Sequence, residues 1–117
     1  MSMKIENRVK ELLDIAIKIG DGEMPEYQFN ETYTSGAYDL LLLNTSNSID
    51  SFNLIQALCD HYPNINKNHI EAYLGLLVQA AQSAKTTELP QNMEKIIISN
   101  ISYSGAKELA EWYRIKV

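Results

Sequence analysis

Four residues in one short window carry the side chains best suited to chemistry: Cys59, Asp60, His61 and His69. A thiol, a carboxylate and two imidazoles are the raw material of a nucleophile with its base, or of a metal site. Their spacing argues against both. On a helix, Cys59 and His61 lie two positions apart and point to different sides, which is poor for shared coordination or for activating a thiol. His69 opens the following helix and can approach His61 only across a turn. Cys59 is the only cysteine, so no intramolecular disulfide can form, and a zinc site would need several ligands of other types. The expectation is therefore a buried, apolar Cys59, exposed turn histidines, and no metal or cofactor. Asp21-Gly22-Glu23 lacks the repeated oxygen ligands and distal Glu of a calcium loop. Phosphate-cradling glycine loops, paired zinc histidines and nucleophile elbows are missing from the sequence, and Ser35-Gly36 and Ser104-Gly105 read as turn and capping elements. No residue is assigned a catalytic role and the chain reads as a non-enzyme. A small metal-dependent enzyme whose groups converge only in space is the least favoured reading.

Charge is the stronger signal. The 117 residues carry a net charge of −5, and the pI is near 4.9. Between Lys18 and Lys67 there is no Lys or Arg, while Asp21, Glu23, Glu26, Glu31, Asp39, Asp50 and Asp60 all fall there. The segments on either side are each nearly balanced, so the deficit comes from the middle of the chain. Such a balance argues against binding nucleic acid through its phosphates, which depends on clustered cations. It favours a basic protein partner. Tyr27, Phe29, Tyr33 and Tyr38 lie among these carboxylates, and Tyr anchors interfaces well because it buries much area at little rotamer cost. The bland alternative for each ring is that it closes the core over a loop.

The elements that must position these groups read as helices. Ile5, Val9, Leu12, Leu13 and Ala16 recur at helical spacing, widened by Ile15, Ile17 and Ile19, and the helix should stop near Ile19, where Gly20-Asp21-Gly22 tolerates a left-handed turn. Residues 20–32 read as a loop, and a helix is expected from about Tyr33 to Leu43, weakened at its front by Thr32, Thr34, Ser35 and Gly36. Asn47 is a cap-like residue for the next helix, which carries Ile49, Phe52, Ile55, Leu58, Cys59 and Tyr62 on one face and stops at Pro63. Asn66 can cap a long helix with Ile70, Tyr73, Leu74, Leu77, Val78 and Ala81 on one side and Ala72, Leu76, Ala80 and Ala84 on another. Such a helix belongs at the centre, with Gly75 marking the close approach of a neighbouring backbone. Pro90 fits the first turn of a helix containing Met93, Ile96, Ile97 and Ile101, although the run Ile96-Ile97-Ile98 is β-branched and leaves a strand as the alternative. Ser102 or Ser104 can cap a last helix in which Ala106, Leu109, Ala110 and Tyr113 turn inward, with Trp112 a further candidate for the inner face.

Hydrophobic residues make up 45% and charged residues 21% of the chain, which suits one ordered globular domain over residues 1–117. The fold class expected is all-α: a compact five- or six-helix domain of antiparallel helix pairs, or a short α-solenoid-like stack. The longest aliphatic run, Leu40 to Leu43, is far short of a membrane span, and the polar residues near the N-terminus leave no uninterrupted apolar segment of the kind a secretory signal requires, so none is expected. Cytoplasmic residence is the default expectation.

The acidic middle, the helical hairpin from Ser48-Ile49-Asp50-Ser51-Phe52 through Ala80-Ala81-Gln82-Ser83, and the ending Ala110-Glu111-Trp112-Tyr113-Arg114 together resemble a bacterial immunity protein of the contact-dependent growth inhibition or related polymorphic-toxin systems. The resemblance implies neutralisation of a cognate toxin domain, often a nuclease, inside the producing cell. It supplies no site residues. The charge pattern supplies a contact set: Asp21, Glu23, Glu26, Glu31 and Asp39 as electrostatic contacts, and Tyr27, Tyr33 and Tyr38 as buried anchors. The competing reading is a helical adaptor or regulatory module that takes a peptide or subunit in an apolar groove.

Overall fold

In a computed structural model, residues 3–25, 27–29, 34–36, 48–85 and 87–116 are described. The first amphipathic pattern forms α1 (Met3–Gly20). Val9, Leu12 and Ala16 are buried, Ile5, Leu13, Ile15 and Ile19 pack partly against the core, and Ile17 faces solvent at 41% exposure. Ile17 therefore does not widen the apolar face. The helix ends in a Schellman arrangement: the Gly22 N–H donates to Ile19 O at 3.0 Å and the Glu23 N–H to Lys18 O at 2.8 Å. Gly22 takes the left-handed position, with φ 76°, where a Cβ would be strained.

Two short strands follow, β1 (Tyr27–Phe29) and β2 (Thr34–Gly36), paired antiparallel with Tyr27 opposite Gly36 and Phe29 opposite Thr34. The helix expected from Tyr33 is thus corrected over 34–36. Thr34, Ser35 and Gly36 are poor helix formers, and the aromatic and β-branched residues of this segment suit an extended pair better. The remainder of that expected helix, and the expected cap Asn47, lie outside the described residues.

Helix α2 (Ser48–Asp60) buries Leu54, Ile55, Leu58 and Cys59. Pro63 then stands at the start of a 3-10 turn, Tyr62–Asn64. A second such turn, Lys67–His69, is capped by Asn66, whose side chain accepts the Asn68 N–H at 2.9 Å, and it leads into α3 (Ile70–Ala84). Nine of the fifteen residues of α3 are buried, and it packs against α1, α2 and the last helix, as its encircling apolar pattern requires. Tyr73, fully buried, donates its hydroxyl to Leu58 O at 2.6 Å, binding the α2–α3 hairpin from inside.

Helix α4 (Met93–Ser99) places Met93, Ile96 and Ile97 inward. Their i, i+3, i+4 spacing outweighs the β-branched run, and Ile98 is left exposed at 53%. Pro90 is buried but precedes the helix, whose N-cap is Asn92 in the left-handed conformation, and Ile101 falls in the turn beyond. The loop before α4 is fastened to α2 by one side chain: Gln56 Oε1 accepts the Gln91 N–H at 2.7 Å while Gln56 Nε2 donates to Gln91 O at 3.3 Å. Helix α5 (Ser104–Tyr113) buries Ala106, Leu109, Ala110 and Tyr113. Neither Ser102 nor Ser104 caps it; the N-cap is Tyr103, without a side-chain bond. A Cβ on Gly105 would lie 2.9 Å from Leu74 Cβ and 3.6 Å from Gly75 N, so α3 and α5 approach closely at Gly75, with Gly105 the residue that permits it.

The arrangement is an all-α domain of five helices among the described residues, with one small strand pair. The α2–α3 and α4–α5 pairs stack with α3 and α5 running in the same direction, as repeat units do. However, α1 packs onto α2 and α3, and the radius of gyration is 13.5 Å, the value of roughly 13 Å expected for a compact domain of this length. The bundle is closed rather than extended.

Candidate functional site

Gly20 lies against the turn that joins α2 to α3: a Cβ there would meet His69 Cδ2 at 2.7 Å and His69 Cα at 3.2 Å. The carboxyl ends of α1 and α2 and the amino end of α3 therefore share one end of the bundle. Asp21, Glu23 and Asp60, all exposed, follow or close two helices whose terminal carbonyls already carry partial negative charge. Carboxylates at such positions oppose the helix dipole, and the last turn of α2 contains no basic residue. Lys18 and Lys67, also exposed, are the cations of this end. Carboxylates outnumber lysines at this end, and at α2 the stability available from a favourable capping charge is forgone.

Of the predicted contact set, Asp21 and Glu23 are on this surface. Asp21 is held: His69 Nε2 lies 2.8 Å from its Oδ1, with the imidazole 17% and the carboxylate 47% exposed. An ionised carboxylate only accepts, so Nε2 carries the hydrogen. Half of the carboxylate still faces solvent, fixed in direction by this bond. Tyr27 contributes backbone to β1. Glu26, Glu31, Tyr33, Tyr38 and Asp39 lie outside the described residues. Asp60 lies at the same end of the bundle and is not in the predicted contact set, although its position just before the turn at Pro63 is a readable signal.

The window of chemistry-bearing residues is pulled apart. Cys59 is 1% exposed, and burial first, then the neighbouring Asp60 carboxylate, pushes its thiol up to about 12. At neutral pH it is a protonated core residue rather than a nucleophile. His61 is exposed on the turn, while His69 is half-buried and committed to Asp21 rather than exposed as expected. Among the described residues, no three His, Cys, Asp or Glu side chains converge to hold a metal.

A second feature lies between α3 and α5. Val78, Ala81, Leu109 and Trp112 line a groove of about 380 Å³, edged by Gln82, Glu108 and Glu111. Trp112 is half-buried, the exposure of an aromatic that can still be covered by a partner. Among the described residues, no helix is long and apolar enough to cross a membrane. Comparison with protein-family models, with curated proteins and with solved structures returned no match.

Proposed function

We propose that this chain is an immunity protein, which binds and neutralises a cognate basic toxin domain, a nuclease, in the cytoplasm through its acidic end. The observation that supports the reading most is the placement of Asp21, Glu23 and Asp60 at helix carboxyl ends, where they weaken the fold and strengthen the outward negative field. A nuclease draws phosphate into a positive cleft, and a fixed anionic surface competes for that field, speeds encounter and covers the groove. The Asp21–His69 bond holds one carboxylate in place before the partner arrives, which lowers the ordering cost of docking. The chain acts by occupation and contributes no catalytic group of its own.

The test is capture of the partner from the native cell, followed by association kinetics with that partner. Replacing Asp21, Glu23 and Asp60 with Asn, Gln and Asn should slow association about tenfold at low salt and flatten its dependence on ionic strength. Unchanged association at low salt would remove this surface from the interface. The groove at Trp112 supports a second reading, an adaptor holding an apolar peptide. Salt-independent capture that is lost in Trp112→Ala and retained by the acidic-end variant would favour that reading instead.

A further inference from the structure

A groove of about 530 Å³ runs along the flank of α5, within the size range of ligand pockets. Its floor is aliphatic, built from Ile101 in the turn after α4, Ala110 of α5, and Ile115 beyond the helix end. Its rim is cationic: Lys107, Arg114 and Lys116 line it and are exposed, and none makes an ion pair among the described residues. Glu111 is the one anion of the lining and stands between this groove and the one at Trp112. Three exposed cations thus ring an apolar floor in a chain of net charge −5.

The backbone adds an independent observation. The end of α5 repeats the arrangement at the end of α1, with the Arg114 N–H donating to Glu111 O at 3.2 Å and the Ile115 N–H to Ala110 O at 2.8 Å. Here Arg114, at φ 58°, takes the left-handed position that Gly22 takes in α1. A glycine would hold it without strain. The chain instead keeps a side chain there, and that side chain lines the groove.

The geometry selects the ligand. Lys107 and Arg114 are seven residues apart, about 10 Å along the axis at roughly 1.5 Å per residue. A peptide in the polyproline II conformation advances about 3.1 Å per residue with three residues per turn, so carboxylates at positions i and i+3 share a face about 9 Å apart and match that separation, while a side chain between them turns toward the floor. The floor offers no aromatic face for stacking a nucleobase. The carbonyl end of α5 opposes a compact phosphate dianion more than it opposes carboxylates spread over that length. The acidic end lies away from Arg114 and Lys116, because α5 runs parallel to α3 and carries them toward the opposite end of a molecule 38 Å in its longest extent. Screening over roughly 8 Å at physiological salt separates the two fields. We propose that this groove docks an acidic, amphipathic peptide segment of a partner protein, in which two carboxylates three residues apart flank an aliphatic side chain.

The proposal does not rest on the immunity reading, and the substitutions expected to weaken binding all lie outside the acidic end. A fluorescein-labelled peptide of sequence Gly-Ser-Glu-Leu-Val-Glu-Ser-Gly is titrated with the full chain and followed by anisotropy, beside one peptide with both Glu replaced by Gln and another with Leu-Val replaced by Ser-Ser. Saturable binding is expected, weakened at least tenfold by either peptide change and by raising salt from 50 to 300 mM. The variant Lys107→Glu/Arg114→Glu should bind at least tenfold more weakly with unchanged circular dichroism, and Ile115→Ser should weaken binding several-fold. Asp21→Asn should bind as the parent does. Absence of binding at millimolar protein, equal binding of the Gln peptide, or full binding by the charge-reversed variant would overturn the proposal. So would capture of phosphatidylserine vesicles or inorganic phosphate by the same cations without capture of the peptide.

Discussion

Gly22 and Arg114 occupy equivalent positions in two helix ends of the same design, and only one of them has the residue the backbone prefers. A non-glycine residue in the left-handed conformation costs roughly 1–2 kcal/mol, and glycine returns part of that as greater freedom of the unfolded chain. Arg114→Gly should therefore stabilise the protein by about 0.5–1 kcal/mol, seen as a rise in Tm of about 2–5 °C. The same substitution should weaken peptide binding at the α5 groove. Opposite signs for stability and binding would separate a retained functional side chain from an accident of sequence, and a fall in Tm would contradict the conformational account. At this scale legibility is uneven. The end of α1 could be read from Gly20-Asp21-Gly22, and the burial of Cys59 from its place on an apolar face. Nothing in the letters around Arg114 signals a left-handed turn, because arginine is a good helix former and the conformation is imposed by the carbonyls it must satisfy.

Between elements, the closest approach is that of α5 to α3 at Gly105. Alanine at an exposed helical glycine would raise stability by up to about 1 kcal/mol through propensity. Here the added methyl would sit 2.9 Å from Leu74 Cβ and 3.3 Å from the Leu74 carbonyl carbon, and overpacking of this kind costs roughly 1–3 kcal/mol. The steric term wins, so Gly105→Ala should lower the urea midpoint with the slope unchanged, a net loss of about 1–2 kcal/mol; a gain would mean that the helices slide apart freely. The sequence announced a close approach at Gly75 but not which partner made room for it, since a contact between helices is invisible to periodicity within either one. The long helices were legible because each repeats its apolar face over several turns. The strand pair was not, because three-residue strands are too short to establish a period, and Thr34-Ser35-Gly36 resembles in sequence a weak helix start. The short helix α4 was ambiguous for the same reason and was decided by packing of Met93, Ile96 and Ile97 against the core.

Across the whole molecule, three acids that titrate at alkaline pH are buried together. The Cys59 thiol is pushed up to about 12 from its ordinary 9.0, and burial, followed by neighbouring groups including Cys59, raises Tyr73 and Tyr113 above their ordinary 10.0. The unfolded chain ionises these groups first and so binds fewer protons than the folded one above pH 9. Their stabilising contribution is complete below the unfolded values and is lost as pH rises through 9 toward 12, on the order of 1 kcal/mol per pH unit for each group in its window. Urea midpoints at pH 7, 9 and 10.5 should show a plateau and then a steep fall; a flat profile to pH 10.5 would show that these groups ionise as freely folded as unfolded. The global charge balance was fully readable, since counting requires no coordinates. Which carboxylates share a surface was not: Asp60 joins Asp21 and Glu23 only because two helices end side by side, a fact of tertiary packing.

The Gln56 clamp on Gln91 has a consequence for how this chain can be altered. By pairing with both the N–H and the C=O of one residue, Gln91, a single amide imitates a strand edge and anchors the approach to α4 at a fixed point on α2. The exposed residues Thr87, Glu88 and Leu89 lie between that anchor and the end of α3. They connect the two hairpins, and with Thr87 and Leu89 facing solvent the backbone there is the natural place to splice in foreign sequence or open new termini.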